Sequence, residues 1–282
     1  MKKGRTGQST IGTVALYALC ILLTLLSIFP FWVMIMNATR STVEIQGHAV
    51  SLLPSKYLMN NMKILFGKSF NPWRGFANSM IVSTFATGCA VYFSTLTAYA
   101  IVMYDWKMKR GFFTFIMAVM MIPQTVVTIG FYKMIYQMHL VNNFLPLILP
   151  SIAAPSMVFF MKQYMEPSLS KEIIQSARID GAGEFFTFNR IALPIMKPAI
   201  ATQAIFSFVN TWNALFMPMV LLTKKEMYTM PIMVSLLKGD IYRTEYGSIY
   251  LGLTMTVLPL FIVYFLLSKY IIAGVALGSV KG

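Results

Sequence analysis

The sequence predicts an all-α, polytopic membrane protein with six transmembrane helices, and three observations predict it. Of the 282 residues, 57% are hydrophobic and only 11% charged, whereas a soluble domain carries about 25% charged residues. Six stretches, roughly 11–37, 76–103, 111–132, 140–161, 198–222 and 248–268, contain no Asp, Glu, Lys or Arg, and each has about the 20 residues that a hydrocarbon core demands. All nine acids and all 23 bases therefore fall outside these stretches. A charge at the bilayer centre costs about 2.5–3.5 kcal/mol, so this partition is the signature of insertion.

The elements follow in order. Met1-Lys2-Lys3-Gly4-Arg5 precedes an apolar run too long for a signal peptide and without a small-residue cleavage site, which reads as an uncleaved first helix. Residues 1–75 form an N-terminal unit, that helix and an external loop; residues 76–282 form a five-helix core containing the loop 162–197. Prolines 30, 123, 218 and 259 fall inside the spans, which membrane helices tolerate when neighbours satisfy the freed carbonyls. The cluster Lys107, Lys109 and Arg110, tight against spans two and three, places that loop and both termini in the cytoplasm. The loops 38–75 and 223–247 then lie outside, and 162–197 inside.

The net charge of +14 is spread between apolar runs rather than gathered on one face, so it reads as membrane flanks and not as a nucleic-acid footprint. Cys20 and Cys89 lie within apolar runs without metal-ligand spacing. His48 and His139 stand alone, no paired carboxylates occur within helices and there is no Ser-His-Asp arrangement, so neither a metal site nor an enzyme is expected. Gly67-Lys68-Ser69 is not a P-loop, because Met62 stands where the motif needs its first glycine.

The inside loop carries the most information. Ser170 is placed to cap a short helix with Glu172 in its first turn. Ile173, Ile174 and Ala177 give that helix an apolar face, and Asp180-Gly181 ends it. A second segment, Glu184 to Ile191, is amphipathic and rich in aromatics, and Pro194 and Pro198 reset the chain before span five. Such a projection suits a groove in a partner protein. Phe185, Phe186 and Phe188 could equally dip into lipid headgroups.

Gln175-Ser176-Ala177, then Gly181, nine residues, Ile191, one residue and Leu193-Pro194 resemble the coupling loop of ABC importer permeases, where a Glu-Ala-Ala triplet opens the same gapped pattern. Asn78-Ser79, Ala98-Tyr99-Ala100, Ile122-Pro123-Gln124, Trp212-Asn213 and the ending Ala273-Gly274 through Val280-Lys281-Gly282 extend the resemblance along the chain. The whole is similar to carbohydrate importer permeases, particularly the smaller permease of maltose-type and multiple-sugar systems. The resemblance implies a type I ABC importer fold in the cytoplasmic membrane and a heterodimer with a second homologous permease. It also implies two ATP-binding cassette subunits that carry the ATP, and an extracytoplasmic sugar-binding protein touched by the loop 223–247. This chain would hold no cofactor. Glu172, Gln175, Ser176, Ala177, Arg178, Asp180 and Gly181 are the implied ATPase-coupling residues. Gln175 departs from the family's Glu, keeping hydrogen bonding and losing the charge.

For the substrate path, Gln203, Asn210 and Asn213 lie close to one helical face with Phe206, beside Trp212, and Gln124 follows Pro123 in span three. Amides and aromatics suit sugar hydroxyls and sugar faces. They equally serve interhelical hydrogen bonding in a bundle. An ATP-independent transporter would need ionisable residues at mid-membrane, and the spans hold none. An ABC permease for a solute other than sugar would share the coupling loop.

Overall fold

The computed structural model describes residues 10–67, 71–237 and 245–279, with side chains at all of these except 10–11, 124–125 and 267–279. In chain order the helices are α1 (Thr10–Ala38), α2 (Thr42–Gly47), α3 (Leu58–Gly67), α4 (Pro72–Met103), α5 (Lys109–Met120), α6 (Gln124–Gln137), α7 (Leu145–Ile148), α8 (Pro155–Ser168), α9 (Lys171–Ile179), α10 (Glu184–Thr187), α11 (Leu193–Ile195), α12 (Lys197–Trp212), α13 (Phe216–Leu221), α14 (Met230–Leu236) and α15 (Tyr246–Ser279). Among the described residues there is no strand.

Each of the six apolar stretches is helical, but not each is one helix. Among the described residues four segments are long and apolar enough to cross a membrane, Gly12–Ala38, Pro72–Met103, Leu145–Ser168 and Tyr246–Leu266, and the bent pair Glu184–Ile195 with Lys197–Trp212 makes a fifth if it is one span. The third stretch is divided into α5 and α6 at Pro123, whose ring cannot continue the ladder and pushes Ile122 away from helical geometry. The fifth is divided into α12 and α13 at residues 213–215. The helix from the fourth stretch runs on through Lys162 and Glu166, which pair at 2.6 Å one turn apart.

The chain forms two compact units, one of residues 1–70 with 236–255 and one of 71–235 with 256–282. In the first, the segment after α1 is a built structure rather than a plain loop. Ser41 and Glu44 close a capping box on α2. The buried Arg40 guanidinium donates to the carbonyls of His48 (2.7 Å) and Glu44 (2.9 Å), a cation at that helix's C-terminal end. Asn61 Nδ2 donates to the carbonyls of Ala38 and Arg40 at 2.8 Å each, which ends α1. Gly247 leaves room for this knot.

In the second unit α4 is central, packed by α8 and α12. Small residues on α4, among them Ser79, Ala86, Ala90, Ser94 and Ala98, are buried and let its neighbours come close. Met157, Met161 and Met165 of α8 fill the space left. The same core takes in Ile174, Phe188, Ala192 and Met196 from the segment between spans four and five.

A Cβ on Gly247 would lie 2.2 Å from the Arg40 carbonyl oxygen and 2.4 Å from Asn61 Nδ2. Gly247→Ala is expected to destabilise the protein by about 1–3 kcal/mol through overpacking against backbone. Thermal unfolding in detergent measures it, and an unshifted melting temperature would mean that the knot does not hold this unit.

Candidate functional site

The segment between α8 and α12 is assembled by local chemistry. Ser170 is extended, and its hydroxyl accepts from the Glu172 N–H at 3.2 Å. The same hydroxyl donates to the Glu172 carboxylate. That bond, then the residue's own N–H, holds the Glu172 carboxyl below its ordinary range. At the other end, the Gly181 N–H bonds to the Arg178 carbonyl (3.0 Å) and the Ala182 N–H to the Ala177 carbonyl (2.9 Å). This is the Schellman pattern. It needs a left-handed residue after the cap, and Gly181 supplies it with φ +82°.

One face of the resulting helix–turn–helix is rooted in the transmembrane core and the other is exposed. Ile174 and Ala177 are buried, while Gln175, Ser176, Asp180 and Gly181 are exposed. Ile173, expected on the apolar face, is exposed as well. The three phenylalanines separate: Phe188 is 1% exposed and packs against Tyr99 (5.3 Å) and Tyr92 (5.7 Å). Phe185 is 74% exposed and Phe186 also faces outward, as does Ile179 at 86%. A shallow concavity between Asp180, Gly181, Phe186 and Ile191 lies on this exposed side.

Arg178 does not point away from the chain. Its Nε lies 2.6 Å and its Nη2 3.2 Å from the two carboxylate oxygens of Glu184, a two-pronged ion pair across the Gly181 turn. The guanidinium also stands over the Tyr104 ring at 5.1 Å, and the Tyr104 hydroxyl donates to the same Glu184 carboxylate. These three groups lie outside the spans. Arg178, then Tyr104, hold the Glu184 carboxyl below its ordinary range. The phenol of Tyr104 is raised, chiefly by burial and then by Glu184. Sequence reading passed over Glu184 and Tyr104, because the first is six residues from Arg178 and the second adjoins a different helix.

Of the path residues, Asn210 and Asn213 are exposed and Gln203 is half-buried. Gln124 opens α6, and its side chain lies outside the described residues. Trp212, expected on the path as well, is enclosed by its neighbours. It is 1% exposed, stacked on Phe208 at 5.6 Å and edge-on to Phe76 at 5.8 Å, and its indole N–H donates to the Thr256 carbonyl at 3.0 Å. Phe208, Phe76 and the Thr256 carbonyl thus engage the ring system and its polar tip. Asn210 instead lines a cavity of ≈ 400 Å³ with Thr211, Ala214 and Pro218, facing Val127, Thr128 and Phe131 of α6. Both interrupted spans meet at this cavity. Irregular backbone at membrane depth is tolerated where protein buries it or where it borders a polar cavity.

In the loop 223–247, Asn78 Nδ2 donates to the carbonyls of Glu226 and Tyr228 at 2.9 Å. Asn142 Oδ1 accepts from the N–H groups of Thr223 and Lys224. Lys238, Asp240 and Arg243 of that loop, and Lys68 and Ser69, lie outside the described residues.

Residues 90–276 match the model of the family described as binding-protein-dependent transport system inner membrane component. Among relatives, the arabinooligosaccharides transport system permease protein AraQ of Halalkalibacterium halodurans is 33% identical over 91% of this chain and 92% of its own length. AraQ of Bacillus subtilis is 31% identical over 98% of each. The lactose transport system permease protein LacG of Rhizobium radiobacter is 28% identical over 94% and 95%. A solved structure of a bacterial ABC transporter involved in import of the acidic polysaccharide alginate contains a chain with the same fold, with TM-score 0.79, 22% identity and coverage of 96% of this chain and all of that one.

The carboxyl of Glu184 sets a pH dependence. A carboxyl whose folded pKa is depressed adds stability above its unfolded value and loses it as the pH falls through the folded one. Amide-exchange protection of α10 is therefore expected to stay level from about pH 8 to pH 5 and to drop only in stronger acid. The same drop in Glu184→Gln would assign it to another group.

Proposed function

This chain belongs to the family of binding-protein-dependent transport system inner membrane components, and from that premise we propose that it is one of two permease subunits that form the path of an ABC importer for an oligosaccharide. The observation that carries the proposal is the two-faced α9–α10 segment. Ile174 and Phe188 fix it to the transmembrane core and Ala177 is buried on the same side, while Gln175, Asp180, Ile179 and Phe185 stand free for a partner.

In this reading the chain sits in the cytoplasmic membrane with a second homologous permease. Two ATP-binding cassette subunits bind and hydrolyse the ATP, and an extracytoplasmic binding protein delivers the sugar. The exposed face of α9, the Gly181 turn and α10 enter a cleft of the cassette subunit. Closure of the cassette dimer then moves the permease outward. Gln175 offers a neutral amide at this contact, so its hydrogen bond is weaker than the charge-assisted one a glutamate would make. Glu172 and Asp180 carry the negative charge of α9, one at each end. Ser176 is small where the exposed face must sit close, Ala177 is small on the buried side, and Arg178 shapes the turn from behind. On the membrane side, Asn210 with Gln203 and Asn213 offers amides to sugar hydroxyls. The relatives' printed names make arabino-oligosaccharides the first solute to test.

The test is purification of the tagged chain in mild detergent from its host, followed by uptake of arabino-oligosaccharide in vesicles holding the recovered complex. Recovery of a second permease and an ATPase with ATP-driven uptake supports the whole reading. Recovery of the same partners without sugar uptake moves the solute to another class. Uptake by the chain alone, without ATP, overturns it.

Two variants sharpen this. In Gly181→Val a β-branched residue must adopt the left-handed region, a strain of about 1–2 kcal/mol, so uptake should be lost while the protein still inserts and assembles. Asn210→Ala should raise the sugar concentration for half-maximal uptake about three- to tenfold, the worth of one neutral hydrogen bond. An unchanged value would remove Asn210 from the path.

A further inference from the structure

The segment that faces the partner is attached to the membrane core in two physically different ways. The first is apolar. Phe188 lies on Tyr99 of α4, and Tyr99 meets the Tyr104 ring at 5.8 Å. Dispersion and hydrophobic contact of this kind resist compression but have little directional preference, so two such surfaces can slide. The second is the Glu184 carboxylate, which accepts from Arg178 at the end of α9 and from Tyr104, the residue that follows α4. Hydrogen bonds are directional and weaken steeply off axis, and ionised ones are the stronger class. They resist sliding and pulling apart.

We propose that Glu184 is the joint through which movement of the α9–α10 segment is handed to α4, with Tyr104 the positioning residue that fastens α4 to it. The proposal rests on the coupling role given above to that segment. One carboxylate gathers three elements: the last turn of α9, the first turn of α10 and the end of the helix around which α8 and α12 pack. α12 is joined to the segment through the backbone, but an 80° bend lies between them. A push on α10 therefore reaches α12 obliquely. The Glu184 joint gives α4 a separate, direct share of the same movement. Other polar ties nearby are weaker or placed elsewhere. The Tyr92 hydroxyl of α4 reaches Asn189 Oδ1 at 3.3 Å, a neutral bond beyond the end of α10. The Lys171–Asp105 pair spans 3.9 Å with Asp105 largely exposed, a geometry of little strength. Lys109 bonds the Tyr104 carbonyl and Asp105 without reaching α9 or α10.

Tyr104→Phe tests the joint, since it removes one hydroxyl and keeps the ring beneath Arg178 and beside Tyr99. Glu184→Gln is the second variant; it weakens the fork and keeps an acceptor for Tyr104. Each is placed in the purified complex with its partner permease and ATPase in proteoliposomes, and arabino-oligosaccharide uptake is measured together with ATP hydrolysis. The expected result is a fall in solute taken up per ATP hydrolysed of about fivefold or more, the lower end of ordinary coupling between sites. The double variant should be no worse than the more affected single one, as for two groups in one joint. A normal ratio in the variants, with or without lower yield of assembled complex, overturns the joint and reduces these residues to stabilising ones. Absence of uptake by the unaltered complex is a different failure, that of the coupling and solute reading on which the joint rests.

Discussion

Helices in a bilayer gain no hydrophobic energy by leaving lipid for one another, so their association depends on how closely their surfaces fit. In this chain that fit is made on α4. Its buried Ser79, Ser83, Ala86, Ala90, Ser94 and Ala98 recur every three or four residues along the helix, and their small side chains leave space for the neighbouring helices. The hydroxyl of Thr95, which would otherwise be a polar group in a dry interior, bonds back to the Val91 carbonyl at 2.7 Å. Unbranched methionines of α8 adapt to the channel thus formed. The α9–α10 segment inherits this arrangement, because Ile174, Phe188, Ala192 and Met196 belong to the same core.

The shape of that segment follows from where donors are missing. Pro194 and Pro198 each remove an N–H, leaving the carbonyls one turn earlier, at Arg190 and Pro194, without the usual helical partner. The chain answers with a π-helical turn at Phe188–Ala192 and a bend of 80° before α12. One covalent run thus serves as a surface element lying across the end of the bundle and as a spanning helix within it. Gly181 performs the opposite reversal between α9 and α10, where a left-handed residue satisfies the last carbonyls of the helix.

Much of this is legible in the sequence for simple reasons. Charge exclusion from the spans is written residue by residue, and a cap such as Ser170 or a stop such as Asp180-Gly181 depends on near neighbours only. The unread features depend on distant ones. Pro123 is visible, but whether a membrane helix absorbs a proline or breaks at it is decided by packing. Phe185, Phe186 and Phe188 look alike until the helix phase and the position of Tyr99 are known. Trp212 stands next to Asn213, yet one is enclosed and the other exposed. Glu184 finds Arg178 only because the turn brings them together, and Tyr104 is 80 residues away from it. In the outer segment, Ser41 and Glu44 have the spacing of a capping box, a local signal open to sequence reading. Asn61 and Gly247 carry no such signal.

The contrast between α1 and α4 bears on how the protein is made. The span of α1 has mean hydropathy 2.5 and is 6% buried, while that of α4 has mean hydropathy 1.5 and is 56% buried. The first can enter the bilayer as an independent anchor, since its hydropathy alone suffices for insertion. The second emerges from the ribosome before either helix that will cover its serines and threonines. At about 5–20 residues per second, some seconds pass before α8 and then α12 follow. During that interval α4 must remain beside the insertion machinery, or borrow another helix, to keep its polar stripe out of lipid. The small residues that give the finished core its closeness therefore also leave α4 with polar groups to shelter while the chain is being made.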